Sequence, residues 1–182
     1  MIGQNIKDSL TDKQKRLYDA ASAAGNNRAG KGSADWGESI YILEFSKNIE
    51  AGRNFGNEIR TLNLNLEKLK EKRKLHKRVS DFLEESKAAY GLPSKNEQLS
   101  RSISLIMEKT FFRRPSVKER KILLESKAKL DSDQDFDEIS QNLIRELKNL
   151  SDTDKKLTSE VSKLLKKMVK GTAVFDIPNN KA

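Results

Sequence analysis

Apolar residues in this chain recur at helical spacing, and the alternation that marks strands is almost absent. Thr11-Asp12-Lys13-Gln14 can cap a first helix running to about residue 24. Residues 25–33 hold three glycines and predict a flexible loop. Trp36, Ile40, Leu43 and Phe45 begin a second helix, which weakens around Gly52 and Gly56. The longest helix is expected over roughly 57–90, where Gly91-Leu92-Pro93 ends it. Ser94-Lys95-Asn96-Glu97 and Ser116-Val117-Lys118-Glu119 are capping boxes, and each opens a further helix. Phe111-Phe112-Arg113-Arg114-Pro115 closes the first of these.

Two amphipathic segments complete the pattern. Phe136, Ile139, Leu143, Leu147 and Leu150 line one; Leu157, Val161, Leu164 and Met168 line the other. Only Ser151-Asp152-Thr153 separates them, a link short enough to predict an antiparallel hairpin. Within 57–90 the apolar stripe changes sides. Ile59, Leu62, Leu66 and Leu69 share one face, while Leu75, Val79, Phe82 and Leu83 share another, displaced around the axis. The helix therefore changes packing partners near Lys72. The pattern implies an all-α, single-domain bundle over 1–182 of about six to seven helices, with a long central helix and a C-terminal antiparallel helical hairpin. No internal repeat is legible, and residues 172–182 read as a tail.

Composition sharpens this picture. Charged residues reach 35% and hydrophobic ones 35%, as expected for helices with narrow apolar stripes and wide solvated faces. The chain has no cysteine, which excludes disulfides, thiolate metal ligands and thiol nucleophiles. The first residues open no apolar run of the secretory type, and no stretch is long enough to span a membrane. The expected setting is cytoplasmic, with signal-independent export as the alternative.

Charge then points to a surface. Residues 53–121 hold 18 bases and 9 acids, so the whole formal excess of +9 falls in the middle third. Lys70, Arg73, Lys74, Lys77 and Arg78 lie at i, i+3, i+4, i+7 and i+8, one stripe of a continuous helix. Lys109, Arg113, Arg114, Lys118, Arg120 and Lys121 cluster at a helix-to-helix corner. There the first amides of the Ser116 helix add anion-binding donors, and Phe111 and Phe112 are candidate base-stacking rings. Lys163, Lys167 and Lys170 form a lesser stripe near the C-terminus.

Three motifs resemble active sites and fall short. Residues 25–31 match the start of a phosphate-binding loop, but Gly32 stands where a Ser or Thr should hold magnesium, and no strand precedes it. Asp131, Asp133 and Asp135 copy the first calcium ligands of an EF-hand, yet Phe136 replaces the turn glycine and Asn142 the bidentate Glu. These acids are expected to cap and charge the start of the Phe136 helix. His76 is the only histidine, so multi-histidine metal sites are unavailable.

The leading expectation is a non-enzymatic accessory protein without cofactor or metal, whose basic middle third engages nucleic acid, or next to it an acidic protein surface. The alternative is a helical protein–protein module that uses apolar grooves or the tail residues Val174, Phe175 and Ile177. A third class is a small basic RNase-like toxin, in which His76 works with Lys72 or Lys77 and a carboxylate such as Glu71.

Overall fold

The computed structural model describes residues 9–26, 35–108, 114–153 and 156–171. Among these residues there are eight helices and no strand: α1 (Asp12–Gly25), α2 (Trp36–Glu50), α3 (Phe55–Lys72), α4 (Lys77–Tyr90), α5 (Lys95–Met107), α6 (Val117–Asp131), α7 (Phe136–Thr153) and α8 (Ser159–Val169). No helix among them is long and apolar enough to cross a membrane.

Local chemistry explains where most of them start. Thr11, Asp35, Ser94 and Ser116 each accept from the amide three residues on, and Gln14, Glu38, Glu97 and Glu119 reach back to the cap amide. Four complete capping boxes thus satisfy the orphan donors of four helix starts. Asn54 and Asp135 cap α3 and α7 more simply, through their side-chain oxygens.

The long helix expected over 57–90 is two helices. The chain leaves α3 after Lys72, Arg73 is extended (φ −164°, ψ 160°), and α4 begins at Lys77. Its two displaced apolar faces are the reason. Leu66 and Val79 are both fully buried in the same core cluster, and the break at residues 73–76 lets both faces reach it. A second boundary differs at Ser151-Asp152-Thr153. These residues close α7 rather than linking two helices, and α8 starts only at Ser159.

The chain divides into two compact units, residues 1–93 and 94–182. Each has its own core. Leu17, Phe45, Ile59, Leu66, Val79 and Leu83 lead the first; Leu99, Ile103, Leu123, Leu143, Leu147 and Val161 lead the second.

Taken separately, the two units carry the same four-helix pattern, offset by 81–83 residues. Helix α2 has 15 residues, as does α6; α3 has 18, as does α7. Leu62 and Leu66 of α3 fall where Leu143 and Leu147 fall in α7, and all four are buried. The turn after α2 repeats after α6. Gly52 and Asp133 both take positive φ (79° and 53°), and their amides donate to Ile49 and Leu130 respectively. Tyr18 Oη donates to Glu50 Oε1 in the first unit, and Ser100 Oγ donates to Asp131 Oδ1 at the matching place in the second. A repeat that the residue string conceals is thus present in the fold. The units differ in closure: α1 packs on α4, whereas α5 and α8, the latter three residues shorter than α4, approach less closely.

Candidate anion-binding surface

The break between α3 and α4 redistributes the basic stripe. Lys70 remains on α3 and pairs with Glu84 of α4 at 2.8 Å. Its hydrogen bond to Glu84 holds the ammonium above its ordinary pKa and the Glu84 carboxyl below its own. Arg73 sits in the connector and grips Asp35 with both guanidinium nitrogens, Nη2 at 2.6 Å from Oδ1. That hydrogen bond holds the Asp35 carboxyl far below the usual carboxylate range, against the opposing effect of burial. Two of the five cations are therefore spent inside the unit.

The other three are not. Lys74 in the connector and Lys77 and Arg78 in the first turn of α4 are exposed, and none has an ion pair among the described residues. Lys72, the last residue of α3 and absent from the expected stripe, is exposed and unpaired in the same way. Helix α4 has no acid in its first turn, and His76 gives it no side-chain cap. Four cations thus surround a helix start whose dipole is also positive. They form a cluster at a corner rather than a stripe along a rod.

The corner is anchored by a residue that the sequence reading passed over. Glu38, fully buried, accepts from the amides of Asp35 and His76, each at 3.0 Å, and lies 2.9 Å from His76 Nδ1. Arg73 Nη2 stands 3.9 Å from its other oxygen. Burying this carboxylate is tolerable because both oxygens are hydrogen-bonded and a guanidinium is close by. The signal was available: Asp35-Trp36-Gly37-Glu38 has capping-box spacing. His76 is held by Glu38 at its backbone and at its ring, a structural use of the residue considered for proton transfer.

Of the second patch, Lys109 and Arg113 lie outside the described residues, together with Phe111 and Phe112. Arg114, Lys118, Arg120 and Lys121 are exposed around the start of α6, and Lys121 stands 4.0 Å from Glu125. The first patch belongs to the first unit and this one to the second. In the lesser C-terminal stripe, Lys163 pairs with Glu160 at 3.1 Å.

The look-alike motifs resolve locally. Asp135 Oδ1 accepts from the Glu138 amide at 2.8 Å and caps α7. Asp133 accepts from Asn96 Nδ2 at 3.0 Å, and Asp131 is engaged by Ser100 and Lys127. No group of three or more His, Cys, Asp or Glu among the described residues is placed to hold a metal ion. Residues 27–33 of the glycine-rich loop and the tail residues Val174, Phe175 and Ile177 lie outside the described residues. Comparison of the chain with protein-family models, curated proteins and solved structures finds no match.

Proposed function

We infer that this is a cytoplasmic, non-enzymatic binding protein that engages an anionic macromolecule, nucleic acid foremost, through the basic corner between α3 and α4. One observation carries the reading. Lys72, Lys74, Lys77 and Arg78 surround the α4 start without internal partners, while the second unit builds the matching corner with Thr153, Lys156, Ser159 and Glu160. Among the described residues of that corner only Lys156 keeps the charge. The fold therefore does not require the other three cations, and a surface that repels itself without structural need is accounted for by a partner of opposite charge. Arg78 supplies a forked donor and the lysines point charges, a combination that suits phosphate oxygens. Arg114, Lys118, Arg120 and Lys121 extend the reading to the second unit, together with Lys109 and Arg113.

The test is fluorescence anisotropy with single- and double-stranded oligonucleotides at several salt concentrations. Reversing Lys74, Lys77 and Arg78 to Glu is expected to weaken binding by about tenfold or more and to flatten the slope of log K against log salt by roughly 2–3. Unchanged affinity and slope would remove nucleic acid from consideration at this corner. Failure with oligonucleotides combined with salt-sensitive binding of poly-glutamate would move the reading to an acidic protein surface.

A second reading, a protein–protein module, has its own support. Trp36 (77% exposed) and Leu43 (55%) lie seven residues apart on α2, and Val117 (85%) and Leu124 (49%) hold the matching places on α6. Binding through them would resist salt.

A further inference from the structure

The start of α2 sets an aromatic side chain beside the basic corner of the first unit. Trp36 is the first residue of α2 and is 77% exposed. Its side chain belongs to neither core and has no partner among the described residues. Both of its chain neighbours touch the connector between α3 and α4. Asp35 is gripped by Arg73, and a Cβ added at Gly37 would stand 3.2 Å from Arg73 Nη2. Two residues beyond Trp36, Glu38 accepts from the His76 amide at 3.0 Å and lies 2.9 Å from its Nδ1. The first turn of α2 is thus fixed against residues 73–76. Lys72 and Lys74 flank Arg73 in the chain, and Lys77 and Arg78 follow His76, so Trp36 adjoins the four exposed cations. Nothing in the fold calls for a ring here: Val117 holds the matching place in the second unit, where the same capping box opens α6.

We propose that the corner takes single-stranded nucleic acid, with an unpaired base stacked on Trp36 and adjacent phosphates held by Lys72, Lys74, Lys77 and Arg78. This rests on the reading of the corner as a nucleic-acid site and adds the form of the strand. Cations alone do not tell one strand from two, because both carry phosphates. An exposed ring does. The bases of a duplex already stack on one another, whereas an unpaired base has a free face to offer. Stacking on a protein aromatic tolerates any base, so the site reads strandedness and not sequence.

Trp36 is the only tryptophan in the chain, so intrinsic indole fluorescence reports on this place alone. The full chain is titrated with an oligothymidylate of about twelve nucleotides and with a GC-rich duplex of equal length. Tryptophan emission is read together with the anisotropy of end-labelled strands. The single strand should quench the emission and bind more tightly than the duplex. W36A should weaken the single strand by about tenfold and leave the duplex unchanged. It should also keep the slope of log K against log salt, since a neutral ring releases no counterions. W36F should recover most of the loss, and V117A in the second unit should change nothing. Circular dichroism checks that each variant keeps its helices. Full single-strand affinity in W36A, unquenched emission in the bound state, or tighter binding of the duplex would overturn the proposal and leave the corner reading in place. Equal losses on both forms of DNA would overturn it as well, by marking the ring as a part that shapes the corner. If neither oligonucleotide binds the unaltered chain, the corner reading itself falls and the proposal falls with it.

Discussion

In the first unit the approach to α4 is held by charge; in the second the approach to α8 is held through a threonine. Glu38 gathers the amides of Asp35 and His76, the His76 ring and, at 3.9 Å, the Arg73 guanidinium. Glu119 gathers the amides of Ser116 and Thr158 and the Thr158 hydroxyl. What the two share is a capping-box glutamate that also serves the start of another helix 38 or 39 residues further on. What they do not share, among the described residues, is Arg73, Asp35 and three of the four free cations. The common part belongs to the fold, and the rest is open to function.

The comparison breaks most severely if the cores are not equivalent. Leu66→Ala and Leu147→Ala, at matching fully buried positions, should each cost about 3 kcal/mol in denaturant unfolding. Values differing by more than twofold would mean that the two cores relax differently.

Glu38→Gln and Glu119→Gln should come next, at about 2 kcal/mol each, since each leaves charge-assisted bonds to two helix starts weakened. The Glu38 change should cost more, because Arg73 and His76 also face that carboxylate. A larger cost at Glu119 would reverse the assignment of charge to the first unit.

Acid should then separate the units by residue. Asp35 is held far below the ordinary 3.8 by its hydrogen bond from Arg73; burial raises Asp131, but bonds from Lys127 and Ser100 outweigh it and leave it lowered. A carboxyl whose folded pKa is depressed adds stability that is complete above its unfolded pKa. That stability drains as pH falls below about 4 toward the folded value. Asp35→Asn should therefore flatten the acid limb of amide-exchange protection in the first unit only, and Asp131→Asn that in the second. Because both side chains are partly exposed, the effects at neutral pH should be about 1 kcal/mol or less.

Smallest of all, Leu43→Ser and Leu124→Ser should move stability by no more than about 0.5 kcal/mol, since both face solvent. A larger loss at either position would weaken its use as a partner-facing residue.

Helix content and most boundaries were legible because capping boxes and apolar periodicity are local signals. Thr11, Ser94 and Ser116 cap where the spacing says they should. The break after Lys72 was half legible: the apolar faces at Leu66 and Val79 disagreed, but the string could not say whether the helix bends or stops. The hydrogen bonds that hold the stop run from Arg73 and His76 to Asp35 and Glu38, nearly forty residues away. The repeat was hidden for a related reason. Across 35–72 and 116–153 only Glu38, Leu43, Glu44, Phe55, Leu62, Leu66 and Leu69 recur as identical residues. Elsewhere the same structural task is done by different chemistry, as when Gly52 and Asp133 both turn the chain with positive φ, or Tyr18 and Ser100 both donate to an acid at the end of the next helix. Which cations were free was not legible at all. Lys70 and Lys74 look alike in the string, and only the fold gives one of them Glu84.

The shared glutamate has a consequence for how each unit comes apart. Its two oxygens serve helix starts that lie far apart along the chain, so neither helix can melt alone without leaving a buried acceptor bare. The ends of α2 and α4, which would otherwise fray independently, are coupled into one opening event. In native-state hydrogen exchange the amides of Asp35 and His76 should accordingly exchange with a common opening free energy, and so should those of Ser116 and Thr158. Each carboxylate acts as a rivet: it does little while the plates are pressed together, and it determines that they separate as a pair.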